Sequence, residues 1–329
     1  MDPGSSSQRA DAATMTREEF ERYQHLRRRH LWSLLGHLPE HAHPRPAQVR
    51  HREKRNHYTL EHVLLDLNGL EDVPAVVLLP DKRPPRAPGV LYMHAHGGTY
   101  ELGKEELWLG RKVMQPYAPV FAELGIVALA IDSWCFSERK HEEDGRLGEM
   151  DTFKLMLWRG QVLWGMMLYD EYQALSYLLS RPEVDPHRIG VFGLSMGATK
   201  AWWLAALDPR ISLCIDLCCL TDYEELIRAK NLKGHSIYYY VPRLLKYFHA
   251  ADINELIVPR RRLSLNGRQD PLTPPAGVEK IRRHVLPLYE KFGRREDCRI
   301  ELFDCGHEET PEMRRLVREW LVRYLVQPG

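Results

Sequence analysis

RIGVFGLSMGATKAWWLAAL, residues 188–207, decides how the rest of the chain is read. Ile189 to Phe192 is a short apolar run of the kind found in buried strands, and Ala198 to Leu207 has the composition of a helix. Between them Ser195 stands in a GxSxG pattern with Gly193 and Gly197. A strand that turns through such a pattern into a helix holds the serine hydroxyl up at the strand's carboxyl end. Glycines flank it because the turn brings backbone segments too close for a Cβ. The helix behind aims its free N–H groups and the positive end of its dipole at the same point. Five residues prove little alone; the context and the partners further along carry the reading.

A serine hydroxyl is a poor nucleophile at neutral pH and needs a base. The order expected after such a turn is serine, acid, histidine. The histidines that follow are His235, His249, His284 and His307. His307 lies in FDCGHEET, directly after the last apolar strand, which puts it on a loop level with Ser195. His284 sits in a helical run beside Arg282 and Arg283 and reads as a surface residue. For the acid, Asp270 follows the strand in LSLNGRQDPLTP. Asp222, one strand earlier, is its rival, and Asp304 is too close to His307 in sequence. A tetrahedral oxyanion needs backbone donors. The N–H of Met196 is one, and Gly98 in the HGGT run after PGVLYMHAH is the expected second.

The remaining chain alternates strands and helices. Thr16 to Glu19 reads as a capping box opening a helix that Gly36 and Pro39 stop. Residues 37–57, rich in His, Pro and Arg, read as an exposed connector. Its five histidines (His37, His41, His43, His51, His57) match no metal-ligand spacing. TLEHVLLDL and PAVVLLP read as two strands around Asn68-Gly69. PGVLYMHAH, IVALAID, RIGVFGLS, SLCIDLCCL, RRRLSLNG and CRIELFDC are further strands. One long helical stretch is expected at 151–180 and a last helix at about 311–325. About eight strands in mainly alternating order argue for one α/β sheet, mostly parallel, with helices on both faces. The expected organisation is a disordered tail over 1–15, an N-terminal helix and connector over 16–58, and an α/β domain over 59–329. A helical insertion is expected at about 221–258.

Composition narrows the function. Lys+Arg at 46 against Asp+Glu at 45 gives no global pull toward nucleic acid or anionic lipid. The six cysteines form no CxxC pair or regular framework, which favours a reduced, cytoplasmic setting. The first residues hold no apolar segment of a secretory signal, and no run approaches a membrane span. His94 and His96 lack a third ligand, so no metal is expected. No phosphate loop or dinucleotide fingerprint occurs, so no cofactor is implied. Tyr100, Trp134, Phe136 and Trp158, with Tyr238 to Tyr240, are candidate walls of a largely apolar, aromatic-lined cleft under a helical cap. Glu138 and Arg139 read as a pair fixing one loop.

HAHGG, GLSMG, NGRQDPLTP and CGHEE, in this order, resemble the motifs of the α/β-hydrolase superfamily. Within it, YDEYQALSYLLSRPEVDPHRIGVFGLSMG and AADINELIVPRRRLSLNGRQD are similar to the dienelactone hydrolase and acetyl xylan esterase-like branch. The resemblance spans about residues 16 to 325. It implies the α/β-hydrolase fold, and a serine hydrolase that cleaves small-molecule carboxylic esters through an acyl-enzyme on Ser195, with Asp270 and His307. Two departures stand out. Ala198 replaces a second glycine common in relatives, and the nucleophile position is Ser where dienelactone hydrolase has Cys. A peptidase, thioesterase or acyltransferase of the same fold stays open, as does a ligand-binding protein that forms no acyl-enzyme.

Overall fold

The computed structural model describes residues 12–41, 44–141 and 144–327. The expected tail over 1–15 falls mostly outside these, as does His43. The first helix, α1 (Arg17–Ser33), starts at the capping box read from the sequence. Thr16 accepts the Glu19 N–H, and the Glu19 carboxylate accepts the Thr16 N–H at 2.8 Å. Phe20 and Leu31 turn inward from it.

A nine-stranded sheet follows, one strand more than expected. The addition is β1 (Gln48–Arg55), within the stretch read as a connector. Its residues QVRHREKR are mostly exposed, so it lacks the apolar alternation by which a strand is recognised. It pairs antiparallel with β2 (Tyr58–Asp66) at the sheet's edge, and its charges discourage further pairing. Next come β3 (Asp72–Pro80), β4 (Ala87–Met93), α2 (Glu106–Leu109), α3 (Ala118–Leu124) and β5 (Val127–Ile131). The long helix expected over 151–180 is two, α4 (Gly145–Trp158) and α5 (Leu163–Ser180). Gly160 breaks it with φ 73°. Then β6 (Val184–Leu194), α6 (Met196–Leu207) and β7 (Leu213–Leu217) form the centre. The expected insertion contains α7 (Tyr223–Arg228), α8 (Leu244–Tyr247) and α9 (Ala250–Glu255). β8 (Arg261–Gly267), α10 (Pro275–Lys291), β9 (Cys298–Phe303) and α11 (Pro311–Leu321) complete the chain.

The strand order is β1-β2-β3-β5-β4-β6-β7-β8-β9. The first three pairings are antiparallel and the five from β5 to β9 parallel. Alternation sorts the core into two layers. Leu91, Val191 and Cys214 face one side with α1, α5 and α6; Val90, Tyr92 and Phe192 face the other with α3 and α11. From β4 the chain moves outward to β5, then crosses back to β6 and continues the other way. The loops after β4 and β6 therefore part from each other at the carboxyl edge, leaving the crevice where parallel sheets hold their sites.

That edge is braced by buried ions. The Arg139 guanidinium lies 2.8 Å from Asp170 and 2.6 Å from Glu71, and its flat face covers the Trp134 ring. Asp170 also accepts from Asn68 Nδ2 at 2.9 Å. Glu138 does not pair with Arg139, as the sequence suggested; it turns to Arg50 and Lys104. Removing one partner of such a buried group leaves the others uncompensated. Arg139→Met is expected to lower stability by on the order of 3–5 kcal/mol. Urea denaturation checks this; a loss under about 1 kcal/mol would show that Asp170 is not held by this pair.

Candidate active site

Ser195 is the point where β6 gives way to α6. Its backbone sits at φ 58° and ψ −118°, a conformation that costs a non-glycine residue about 1–3 kcal/mol. The neighbours leave no room to relax. A Cβ on Gly197 would lie 1.9 Å from the carbonyl oxygen of Met93 at the end of β4. A Cβ on Gly193 would lie 2.4 Å from the carbonyl carbon of Gly197. The two glycines are what allows the turn to press against β4. Every residue of α6 is buried. Ala198, the departure from the usual glycine, is fully buried there among them.

His307 follows β9 and Asp270 follows β8, so both arrive at the same edge. His307 Nδ1 and Asp270 Oδ2 are 2.7 Å apart. A carboxylate accepts, so Nδ1 carries the proton and Nε2 keeps a lone pair. The Asp270 side chain is fully buried, and its other oxygen accepts the Leu272 N–H at 2.9 Å. The rival Asp222 is spent on structure: it caps α7 through the Glu225 N–H and pairs with Lys280. Asp304 accepts from Gln269, and His284 pairs with Glu255. Ser195 and His307 line one open cleft of about 810 Å³. They form no direct hydrogen bond among the described residues; in free enzymes such contacts are often loose and tighten around substrate.

Around the loop expected to hold an oxyanion the structure departs from expectation. Met196 opens α6, where backbone N–H groups have no partner within the helix. Gly98, the other expected donor, lines the cleft, but its N–H points at His96 Nδ1, 3.0 Å away. His96 Nε2 faces Glu149 at 3.3 Å. His94 is fully buried, with Nδ1 donating to the Ala95 carbonyl and Nε2 accepting the Ser133 N–H. Burial, helped by the Lys200 ammonium, pushes His94 well below the ordinary histidine range, so it stays neutral. All four ring nitrogens of this pair are engaged within the protein. Among the described residues one other group has metal-like spacing, Glu105, Asp132 and Glu138. The Lys104 ammonium already sits within 2.9 Å of all three.

The cleft is also more polar than the aromatic count suggested. Of the four candidate walls, Tyr100 lines it. Phe136 is fully buried behind, stacked on Tyr100, and Trp134 lies under Arg139. Trp158 is 90% exposed at the end of α4 and borders a separate surface hollow with Leu155 and Leu157. Tyr238 of the insertion reaches the lining, and the rest includes Glu101, Asp144, Arg146, Glu149, Lys233, His235 and Ser236. Glu149 was not singled out from the sequence, because a lone Glu within a helix carries no local mark.

A mostly parallel sheet with a strained serine turn, a histidine and a buried aspartate on successive loops defines the α/β-hydrolase fold. The profile described as the Abhydrolase family (Abhydrolase_7) matches residues 6–271, and the chain belongs to that family. A Bacillus subtilis (strain 168) protein named "Putative hydrolase YtaP" is 42% identical over 301 residues, 90% of this chain and 99% of that one. Among solved structures, an acetyl xylan esterase from Paenibacillus sp. R4 aligns with a TM-score of 0.62 at 20% identity, covering 95% of this chain and 96% of that one. A glucuronoyl esterase from Solibacter usitatus aligns at 0.66 and 14% identity, covering 98% of each chain. At such identities the structural likeness is one of fold.

The close approach at the turn predicts an asymmetry between glycines. Gly197→Ala should cost about 3 kcal/mol or more, or prevent soluble folding, since a backbone carbonyl cannot step aside. Gly306→Ala, where a Cβ meets nothing within 4 Å, should cost under about 1 kcal/mol. Thermal denaturation of the two variants compares them; equal losses would contradict the packing at Met93.

Proposed function

We propose that the protein is a carboxylic ester hydrolase working through an acyl-enzyme on Ser195. The observation that carries this reading is the His307–Asp270 hydrogen bond, which leaves His307 Nε2 basic in the same cleft as the strained Ser195. In the first step Ser195 Oγ attacks the ester carbonyl and its proton passes to His307 Nε2. The negative charge gathers on the former carbonyl oxygen, near the Met196 N–H and the loop of Gly97 and Gly98. Collapse expels the alcohol, which takes the proton from His307. Water, deprotonated by the same nitrogen, then releases the acid and restores Ser195. Asp270 holds the ring and offsets its charge without itself accepting the proton.

The polar lining favours a small acyl group on a polar alcohol over a long aliphatic chain. The acetyl xylan esterase of similar fold, whose name puts a small acetyl group on a sugar polymer, points the same way. Cleavage of a peptide bond needs a groove for an extended chain and protonation of a poorer leaving group. p-Nitrophenyl acetate is therefore expected to turn over and peptide p-nitroanilides to remain intact. The reverse preference would replace the esterase reading with a peptidase one.

Three variants test the machinery. Ser195→Ala should lose fluorophosphonate labelling and on the order of 10⁴-fold in kcat. Labelling that persists in that variant would remove Ser195 from the mechanism. Asp270→Asn should keep the fold and lose roughly 10⁴-fold, as the ring's tautomer changes. Asp222→Asn should leave kcat within a few fold and cost no more than about 1 kcal/mol of stability, since Asn caps a helix as well as Asp and only the ion pair with the partly exposed Lys280 is lost. Steady-state kinetics with urea denaturation distinguishes the two; the opposite ranking would move the acid to the loop after β7.

A further inference from the structure

Glu149 is a buried carboxylate in the cleft with no part in the mechanism above. Its side chain is 1% exposed. It accepts from three directions: His96 Nε2 at 3.3 Å, Tyr100 Oη at 2.9 Å, and Ser236 Oγ. His96 and Tyr100 belong to the loop after β4, and Ser236 to the insertion. Glu149 thus ties α4, the oxyanion loop and the roof of the cleft together.

The tie has a chemical consequence at His96. An ionised carboxylate can only accept, so the neutral ring must carry its proton on Nε2. Nδ1 is left as an acceptor, and the Gly98 N–H points at it, 3.0 Å away. The ring cannot swing out of this arrangement freely. Tyr238 stacks on it with centroids 5.4 Å apart, while Tyr100 and Phe136 meet it edge-on at 5.0 Å. Gly97 and Gly98 both have positive φ, 55° and 69°, a conformation that suits glycine and that the side-chain bond from His96 secures.

We propose that Glu149 is a positioning residue for the oxyanion loop. By fixing the His96 tautomer it makes Nδ1 hold the Gly98 amide in place while the site is empty. As the tetrahedral centre forms, the amide exchanges Nδ1 for the oxyanion. This rests on the esterase reading for its effect on rate, but the tautomer itself does not depend on that reading.

Glu149→Gln tests it with almost no change of shape. A glutamine offers an N–H₂ to His96 Nε2 while its oxygen serves Tyr100 and Ser236. That favours the proton on Nδ1, which then cannot accept from Gly98. The expected result is a fall in kcat of roughly 10- to 100-fold with KM within about threefold. His96→Asn provides the control, since an asparagine oxygen can accept the amide two residues on without any tautomer to set. In that background Glu149→Gln should cost less than about threefold, the mark of coupling through His96. Equal losses in both backgrounds, or a rise in KM with kcat intact, would overturn the proposal. Long-range ¹H–¹⁵N correlation spectra of the wild-type protein should show His96 protonated on Nε2. A proton on Nδ1 would overturn the proposal even if the glutamine variant failed to fold. Failure of the esterase reading would look different: no fluorophosphonate labelling and no dependence on Ser195, with the His96 spectrum unaffected.

Discussion

The carbonyl of Met93 and the α-carbon of Gly197 stand so close that no side chain fits between them. Most of the site follows from that contact. It presses the end of β6 against the end of β4, so the serine turn and the loop of Gly97 and Gly98 leave the sheet side by side. It forces Ser195 into a backbone conformation that holds it out of the sheet plane. It also starts α6 at a fixed place, with the Met196 amide at the helix's open end. Parallel pairing then carries register outward from β6 through β7 and β8 to β9, which sets where Asp270 and His307 arrive.

Behind the turn lies a second constraint, made of ions. Lys200, the one cation within α6, is fully buried and reaches Ser133 Oγ and Glu171 Oε1, each at 2.6 Å. Ser133 gives its N–H to His94, and Arg139 holds Asp170 beside Glu171 in sequence. The segments after β4 and β5 are thereby locked to α5 and α6. Groups like these contribute little net stability for their number, since each charge gives up its hydration. Their value is directional: hydrophobic packing tolerates sliding, whereas a buried ammonium between two oxygens does not.

The fold was legible because its strongest features are local. Apolar runs, the glycines around Ser195 and the order of Asp270 and His307 all speak within a few residues of themselves. β1 was missed because an edge strand with both faces in water has no reason to alternate. The break at Gly160 was present in the sequence but hidden by helical composition on both sides. Trp158 shows the limit of counting aromatics near a motif, since its place on α4 turns it to solvent while Gly145 and Glu149 face the cleft. Glu149 lay furthest from reach. Its partners, His96, Tyr100 and Ser236, are 53, 49 and 87 residues away, and nothing in its own neighbourhood marks it.

The insertion between β7 and β8 does more than roof the cleft. His235 Nε2 donates to the Leu272 carbonyl, Asn231 Nδ2 to that of Pro271, and Thr221 Oγ1 to that of Leu272. These are the residues directly after Asp270. The roof is therefore stitched to the loop that carries Asp270. Evolution or an engineer cannot exchange this segment as a free module. Any graft meant to change what enters the cleft inherits the task of holding Asp270 still, and the residues at 221, 231 and 235 form the seam along which it must be sewn.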